Sequence, residues 1–540
     1  MPSFFKKRKQ KGKRKNQHIS ESNSSVLIDR SLDTNIETIK KKTGNSSDIV
    51  IRTIQNGIFT IKTAIIYVEG IVDDKSIRDF LIDSLMNDPD ILEEDLTPQN
   101  ALDIISNQVV AIGVIQRIDD WDELLSHLMS GNTIILVDGV SVALSASTQG
   151  GEKRAIEEPS TQMAVRGSRA GFTESIGTNT ALIRRIIKNP DLWLESMQIG
   201  RVTRTDVSIM YINGIANEEI IKEVKERLNR IDIDSILESG YIEQLIEDKT
   251  MTTFPTIYHT ERPDMVAGNL LEGRIAIFVD GTPFVLLAPV VFMQFFQSAE
   301  DYYARFDIAS AIRLLRILIF IISLIAPAVY IGATTYHQEM IPTKLLVAIA
   351  AQREVIPFPA FVEAIIMEIA FEILREAGIR MPKAIGSAVS IVGALVIGQA
   401  AVQAGIVSPA MVIIVAITAI ASFATPSFAI AISARLIRFM FMLSSAVFGF
   451  YGIILGIIFM LVHLCSLRSF GIPYMSPLAP FIPSNTGDTL IRVPWWAFKE
   501  RPRLISQQNV IREGKNQKPQ PPESQGIKIK NTTKGDQNES

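Results

Sequence analysis

One pattern occurs twice in the N-terminal half of this sequence, in AIIYVEGIVDDKSIRDFLIDSL (residues 64–85) and in SIMYINGIANEEIIKEVKERL (residues 208–228). Each stretch begins with an apolar run, passes through a glycine (Gly70 or Gly214) and continues as an amphipathic run. That order predicts a buried strand, a turn and a helix in each copy.

A second pair of similar stretches follows, DELLSHLMSGNTIILVDG (122–139) and DMVAGNLLEGRIAIFVDG (264–281). Each predicts a helix that ends at a glycine and a buried strand that runs into an Asp-Gly hairpin turn. The two members of the first pair begin 144 residues apart, and those of the second pair begin 142 residues apart. We therefore predict a duplicated α/β unit, in which Asp138 and Asp280 have a turn role rather than a catalytic one.

Composition suggests a chain that is part soluble and part membrane-embedded. The 540 residues are 47% hydrophobic, with a mean hydropathy of +0.22 and a net charge of −3. Cys465 is the only cysteine, which excludes an intrachain disulfide and a cysteine-based metal site. No Walker loop, HExxH motif or nucleophile elbow is present, so we expect no enzyme, no catalytic or metal-binding residues and no cofactor.

The first 15 residues contain eight lysines or arginines and no acid. No apolar segment follows them directly, so they are not a secretory signal peptide. Two interpretations of this segment remain: a solvated, disordered tail, or a tail held near anionic lipid with Phe4 and Phe5 inserted. Binding of nucleic acid is a weaker third alternative.

Three long stretches without Asp, Glu, Lys or Arg predict membrane spans: 317–336, 384–434 and 439–467. A span needs roughly 20 apolar residues, so the middle stretch has room for two, on either side of AGIVSP (404–409). Four spans would leave both termini cytosolic but would place five basic residues outside, against the positive-inside rule. A fifth span at 357–377 would place those five basic residues better but would put the basic residues of the C-terminal tail outside. We therefore keep four spans, or five to six, as alternatives.

Several residues in the predicted spans have packing or polar roles. Gln399 and Gln403 share one helix face and need partners, either across a helix interface or in a water-filled path. Pro426 should kink or break its helix. Small residues suited to close helix packing are Gly386, Ser390, Gly393, Gly452 and Gly456.

The stretch FVEAIIMEIAFEILREAG (361–378) has four glutamates. On a helix, Glu368, Glu372 and Glu376 form one stripe, whereas Glu363 lies about 140° from Glu368. One interpretation is an amphipathic helix that lies on the membrane or against the soluble domain, with its glutamates in water. The other is an acidic ring that attracts cations when several copies surround an axis. The apolar residues on the opposite face are Val362, Ile366, Ile369 and Ile373.

Over roughly residues 60–505 the sequence resembles the GerA-type A subunits of spore germination receptors from endospore-forming bacteria, and four stretches carry the resemblance. They are RGSRAGFTESIGTNTALIRRIIKNPDLWLESMQIGRVTRTDVSIMYINGIAN (166–217), ERPDMVAGNLLEGRIAIFVDGTPFVLLAP (261–289), SAEDYYARF (298–306) and IPFPAFVEAIIMEIAFEILREAGIRMP (356–382). The sequence departs from the family at Ser168 and Ala170, where a proline and a charged residue are expected.

The resemblance implies a cytosolic N-terminal domain of two similar α/β subdomains, located at the inner membrane of the dormant spore. It implies a permease-like B subunit and a lipoprotein C subunit as partners, and homo-oligomers that form a ligand-gated cation channel. A non-conducting scaffold and a secondary transporter with Glu368 or Glu372 as proton relay remain alternatives. Chemistry, not the resemblance, suggests these residues for ion path or gating: Glu363, Glu368, Glu372, Gln399, Gln403 and Pro426.

The predicted fold class is an α/β N-terminal domain made of two similar subdomains, followed by an all-α polytopic membrane domain. The predicted boundaries are a disordered basic and polar tail (1–48), subdomain one (49–145), a connecting segment (146–203), subdomain two (204–297), the transmembrane domain (298–467) and a C-terminal cytosolic tail that is disordered at its end (468–540).

Overall fold

The computed structural model describes residues 27–55, 61–73, 75, 77, 97–108, 114–151, 158, 159, 162, 164–381, 398–514 and 517–520. These residues form two compact units. The first contains the described residues up to Asn45 together with Ile49–Gly151, and the second contains Ser46–Asp48 and the described residues from 158 onward. The basic residues 1–26, including Phe4 and Phe5, lie outside the described part.

The first unit is an antiparallel sheet covered by helices. Its strands lie in the order β1-β2-β4-β5-β3. All residues of β2, β4 and β5 are buried, because apolar side chains on both faces of these strands are covered. Its elements are α1 (Leu32–Lys42), β1 (Ile49–Ile54), β2 (Thr63–Val68), α2 (Pro98–Gln108), β3 (Ile115–Ile118), α3 (Trp121–Met129), β4 (Thr133–Val137) and β5 (Ala143–Ala146).

The second unit begins with a sheet of the same order, β6-β7-β9-β10-β8. Its strands also pair antiparallel throughout. The predicted duplication is therefore confirmed at the level of topology. The elements are α4 (Ile176–Ile186), β6 (Leu192–Ile199), β7 (Thr205–Ile212), α5 (Glu218–Asn229), α6 (Ser239–Ile246), β8 (Tyr258–Thr260), α7 (Pro263–Leu271), β9 (Ile275–Val279) and β10 (Val285–Ala288).

The two Asp-Gly turns have matching structural roles. Asp138 follows β4 and accepts a hydrogen bond from the backbone N–H of Leu32 at 2.9 Å. Asp280 follows β9 and accepts one from the backbone N–H of Ile176 at 3.1 Å. In each copy the carboxylate thus satisfies an N–H in the first turn of a helix, which otherwise has no intrahelical partner. This supports the turn role over the catalytic one.

The repeat begins earlier than the sequence predicted. Helix α1 lies within residues 1–48, which we had assigned to a disordered tail; Ser31 caps it, and Leu32 and Ile39 are buried. Its counterpart α4, together with strand β6, lies within residues 146–203, which we had assigned to a connecting segment. Both predictions missed these helices because each sequence is short and rich in polar residues, so its helical periodicity is weak. The helices form because each buries one apolar face in the fold.

The helical region follows the second sheet, as the fold-class prediction required. Two of its helices, α9 and α13, are apolar and long enough to cross a bilayer by length and composition. The described helices are α8 (Glu300–Tyr303), α9 (Phe306–Thr335), α10 (Thr343–Arg353), α11 (Ala360–Arg380), α12 (Pro409–Phe423) and α13 (Phe428–Ser466), with a further helical stretch at 398–403.

Helix α13 is a hairpin rather than the single span predicted at 439–467. Gly449 interrupts it with φ 58° and ψ −141°, a conformation open essentially to glycine. Beyond Gly449 the chain folds back on the first half of the helix, as two close contacts show. The Ser444 hydroxyl donates to the Gly452 carbonyl at 3.0 Å, and a Cβ at Gly456 would lie 2.7 Å from the Phe441 ring. An uncharged run of 29 residues cannot distinguish a long span from a helical hairpin.

Aromatic packing joins the second sheet to the base of the helices. Phe292 and Phe296, which follow β10, lie with their ring centroids 6.2 and 5.1 Å from Phe320 of α9. Tyr474 packs on the same group, 5.9 Å from Phe292, and donates to the Pro255 carbonyl at 2.7 Å. Subdomain two and the helices therefore share one hydrophobic core.

The residues after α13 form a C-terminal segment (467–514) that includes the first part of the predicted tail and packs on subdomain two. A short hairpin of β11 (Arg468–Ser469) and β12 (Ile472–Pro473) opens it. The Ser469 hydroxyl donates to the Thr256 carbonyl at 2.7 Å. Buried Ser506 donates to the Ile215 carbonyl at 2.9 Å. The sequence did not indicate this docking, because its anchors are isolated side chains without a periodic pattern.

Candidate functional site in the helical bundle

Helix α11 has its glutamates toward the other helices and its isoleucines outward. Glu363 and Glu368 are fully buried, whereas Ile369 and Ile373 are 48% and 64% exposed. The surface-helix interpretation, which required wet glutamates and a covered apolar face, is therefore wrong. The physical reason is that the bundle supplies partners for the buried carboxylates, while exposed isoleucines suit a lipid environment.

Glu363 binds the start of helix α12. Its Oε2 accepts hydrogen bonds from the Ser408 backbone N–H at 3.0 Å and from the Ser408 hydroxyl at 2.9 Å. The same hydroxyl accepts from the Met411 N–H at 3.3 Å, so Ser408 is also the helix N-cap. Arg353 of α10 lies 3.4 Å from the other carboxylate oxygen. Glu363 thus ties α10, α11 and α12 together.

Glu368 pairs with Arg438 in the centre of the bundle. The Arg438 Nη1 lies 2.7 Å from Glu368 Oε2, and both side chains are almost completely buried. The Nε of Arg438 donates to the Ser323 carbonyl of α9 at 2.7 Å. This pair therefore connects α11, α13 and α9. Removing one partner of such a buried pair leaves an uncompensated charge.

Glu372 lies one turn further along α11 and binds two arginines. Arg435 of α13 approaches its Oε2 at 3.4 Å, and Arg375 of the same helix pairs with that oxygen at closer range. Glu376, the last of the four glutamates, is exposed and pairs with Arg380. We name the ion-paired group without Glu376 the charged seam; Glu363, Glu368 and Arg438 are buried, whereas Arg353 and Glu372 are partly exposed. It consists of Arg353, Glu363, Glu368, Glu372, Arg375, Arg435 and Arg438.

Hydrogen bonding in the charged seam is incomplete. Five of its buried polar atoms have no hydrogen-bond partner among the described residues, and they occur on both acids and bases. Such atoms cost free energy unless an acceptor, a donor or water reaches them. The seam therefore contains unused donors and acceptors beside its ion pairs. The atoms are Glu363 Oε1, Glu368 Oε1, Glu372 Oε1, Arg375 Nε and Arg438 Nη2.

The charge balance of the seam contradicts an acidic ring made from these glutamates. Three carboxylates face four guanidinium groups, so the group is not acidic in sum. Arg435 and Arg438 were not among the residues predicted for the site. Their signal was nevertheless present, since they are the only Lys, Arg, Asp or Glu residues between Lys383 and Arg468. Charges inside a long apolar run usually have a partner in the same bundle.

The other predicted residues lie outside the seam. Gln399 and Gln403 are both exposed on the helical stretch 398–403. Pro426 lies in the break between α12 and α13, so it interrupts the helix as predicted. Gly452 and Gly456 face the first half of the α13 hairpin within the same chain. Three predicted packing positions lie outside the described residues: Gly386, Ser390 and Gly393.

A second buried cluster lies at the base of α9, and we name it the base cluster: Asp301, Tyr302, Arg313, Arg316 and Asp488. Arg313 Nη1 donates to Asp488 at 2.9 Å, and Arg316 Nη1 donates to Asp301 at 2.7 Å. The Tyr302 hydroxyl donates to Asp488 at 2.6 Å. Burial, followed by the nearby Asp488 carboxylate, raises the pKa of Tyr302 well above its usual value. This phenol therefore stays protonated and remains a hydrogen-bond donor.

Within the described ranges, no group of three or more His, Cys, Asp or Glu side chains could hold a metal ion. The polar groups of the bundle are instead arginine–carboxylate pairs, which suit helix positioning rather than catalysis.

These features define a membrane-associated protein with a duplicated α/β domain and a helical bundle with buried ion pairs. A family model described as "Bacillus/Clostridium GerA spore germination protein" matches residues 37–504. The chain therefore belongs to the GerA family of spore germination proteins. The family consists of germination receptor subunits rather than enzymes, in agreement with the prediction that this chain is not an enzyme.

The chain is similar to named relatives over nearly its full length. It is 63% identical to "Spore germination protein KA" of Bacillus subtilis (strain 168), covering 95% of this chain and 94% of the relative. It is 46% identical to "Uncharacterized membrane protein YfkQ" of the same organism, covering 93% and 97%. A crystal structure of the N-terminal domain of the A subunit of the Bacillus megaterium spore germinant receptor GerK3 aligns with 55% identity and a TM-score of 0.41, covering 50% of this chain and 98% of that one.

Proposed function

We propose that this chain is the A subunit of a nutrient-responsive germination receptor in the inner membrane of the dormant spore, with its α/β domain in the cytosol. Membership of the GerA family and the similarity to Spore germination protein KA support the germination role. The apolar helices α9 and α13 support residence in a membrane. A permease-like B subunit that holds the nutrient and a lipoprotein C subunit complete the receptor.

We further propose that several copies of the chain assemble around an axis into a ligand-gated cation channel. The observation that supports this most is the exposure of Gln399 and Gln403, one helical turn apart on an otherwise apolar stretch. Carboxamides are costly against hydrocarbon. In an oligomer, rings of amide oxygens could face water and ions, as polar rings do in other pores.

In this proposal the charged seam positions the glutamine helix instead of attracting ions. Glu363 binds Ser408, which follows Gln403 by five residues. A shift of α11 would therefore move the segment that contains both glutamines. Pro426 lies in the break at the other end of α12, so α12 and α13 are not one continuous helix and α12 can tilt without bending α13. Several donors and acceptors of the seam have no hydrogen-bond partner among the described residues. They could pair differently in a second arrangement of the helices, as a gate requires.

The test is potassium efflux from liposomes that contain the purified chain with its partner subunits and nutrient. We expect Gln399→Leu combined with Gln403→Leu to reduce efflux by at least about tenfold, because an apolar ring loses its contacts with water and ions. Gln399→Glu should increase the preference for cations over anions. The matched control is Glu376→Gln, at an exposed position on α11.

Efflux that is unchanged by the double leucine variant would contradict the glutamine path. Absence of efflux from folded oligomers with both partners and nutrient present would favour the non-conducting scaffold. The transporter alternative has less support, because Glu368 and Glu372 both lie in ion pairs with arginines.

A further inference from the structure

A polar cavity lies where subdomain two meets the base of the helices. Its volume is about 260 Å³, which is enough for a small anion with several waters at about 30 Å³ each. Subdomain two, the start of the helical region and the turn between α12 and α13 all contribute to its walls. Its polar lining includes Gln162, Arg262, Gln297, Ser298, Arg316 and Thr425.

The charges that face this cavity are positive. Among the described residues that line it there are two arginines and no aspartate or glutamate. The acids lie behind the arginines. Asp264 accepts from Arg262 Nε at 3.0 Å and from its Nη2 at 2.6 Å, and Asp301 accepts from Arg316 Nη1 at 2.7 Å. The carboxylates thus fix both guanidinium groups in place, an arrangement that suits an anion rather than a cation.

Arg316 has one unused edge. Its Nη1 makes all of its hydrogen bonds, to Asp301 and to the Phe296 carbonyl at 3.3 Å, whereas its Nε and Nη2 bond to no described residue. These two nitrogens point their N–H groups in parallel, which is the fork that binds two oxygens of one oxyanion. The side chain is only 12% exposed.

Two hydroxyls add donors beside this edge. Ser298 and Thr425 line the cavity, and neither hydroxyl has a hydrogen bond to a described residue. Thr425 is 7% exposed and lies in the turn that contains Pro426. Nearly buried polar groups normally have a partner. An oxyanion on Arg316 would accept from both hydroxyls.

We propose that this cavity is a binding site for a phosphate-type oxyanion, held by the free Nε–Nη2 edge of Arg316 and by the hydroxyls of Ser298 and Thr425. The ligand is either a free phosphate group or the phosphate of a lipid headgroup, since the cavity adjoins the first turns of apolar helix α9. A bound oxyanion links subdomain two to α9 and to the α12–α13 turn. The proposal of this site rests on the cavity residues alone and not on the proposal of ion conduction.

The test uses the full chain purified in neutral detergent, with inorganic phosphate as the first probe and chloride at equal ionic strength as reference. Phosphate should bind and raise the unfolding temperature, because it binds the folded state only. Arg316→Gln should weaken binding by about 10- to 100-fold, since a bidentate charge-assisted contact is lost. Thr425→Val should weaken it several-fold. Arg201→Gln, at an exposed arginine paired with Asp232, should leave it unchanged.

The second probe is phosphatidylglycerol, counted per chain by mass spectrometry after exchange from nanodiscs against phosphatidylcholine. Retention of phosphatidylglycerol that Arg316→Gln and Thr425→Val abolish, without binding of inorganic phosphate, identifies a lipid headgroup as the ligand. If neither probe binds the wild type, or if both variants bind as the wild type does, the proposal is wrong. Thr425→Val decides the question if Arg316→Gln does not fold.

Discussion

The charged seam and the base cluster are both buried groups of arginines and carboxylates, yet they are hydrogen-bonded to different degrees. In the base cluster, Arg313 donates to Asp301, to the Asp488 carboxylate and to the Asp488 carbonyl. Its Nη2 is the one buried polar atom of this cluster without a hydrogen-bond partner among the described residues, compared with five such atoms in the charged seam. In the charged seam, Arg438 donates to Glu368 and Ser323, and its Nη2 remains without a partner among the described residues.

We infer from this difference that the base cluster holds its segments in one arrangement, whereas the charged seam allows its helices to shift. The base cluster joins α9 to the C-terminal segment through backbone carbonyls as well as carboxylates, so several bonds would have to break together. The seam connects α9, α11, α12 and α13 mainly through side chains, and each carboxylate has a second oxygen with spare capacity. Side-chain pairs of this kind can exchange partners when helices shift.

The largest effect is expected for Arg438→Met, which leaves Glu368 buried without its partner. The free energy of unfolding should fall by about 3–5 kcal/mol. The double variant Glu368→Met with Arg438→Met should recover most of this loss, because no charge is left buried. Unfolding in detergent of the wild type, both single variants and the double variant completes the cycle.

The control for this cycle is the exposed pair Glu376–Arg380 on the same region of α11. Arg380→Gln should cost at most about 1 kcal/mol, since exposed pairs contribute little. A double variant no more stable than Arg438→Met alone would show that the seam is held by contacts other than this ion pair.

An intermediate effect is expected for Asp488→Asn in the base cluster. Arg313 keeps Asp301 and the carbonyl acceptors, so the loss should be about 1.5–3 kcal/mol, the usual range for a hydrogen bond to a charged group. The C-terminal segment should also be cleaved faster by added protease. Glu500→Gln, in an exposed pair with Arg503, serves as the matched control. Equal cleavage of Asp488→Asn and the control would remove the base cluster as the anchor of this segment.

The smallest effect concerns a half-exposed pair away from both clusters, His259 and Glu243, at 3.7 Å. Burial lowers the pKa of His259, but the hydrogen bond and charge of Glu243, together with the charges of Glu238 and Glu261, outweigh burial, and the net pKa is raised above 6.5. A raised pKa in the folded state means that the stabilisation is fully present below about pH 6.5 and disappears as the pH rises through the folded pKa.

Glu243→Gln should therefore lower the unfolding temperature more at about pH 5.5 than at about pH 8, with a difference below about 1 kcal/mol. An equal effect at both pH values would mean that His259 is not protonated beside Glu243. The result would also show how far a partly exposed pair differs from the two buried clusters.

Most of the α/β domain could be predicted from the sequence, and the helical site only in part. The strand before Gly214, the helix after it and the hairpins at Asp138 and Asp280 follow from local periodicity and turn chemistry. The glutamates of α11 were recognised as the informative residues, but their orientation was predicted wrongly. Orientation depends on Arg435 and Arg438, about 70 residues away, and no local pattern indicates such a partner.

The sequence by itself determined the duplication, the order of α/β and helical regions and the residue types available for a polar site, because each depends on neighbours within a few turns. Only the tertiary structure decided which face of α11 is buried, that α13 turns back at Gly449 and that the C-terminal segment docks on subdomain two. These features depend on contacts between distant parts of the chain. Their stability comes from matching charges and surfaces that become neighbours only after folding.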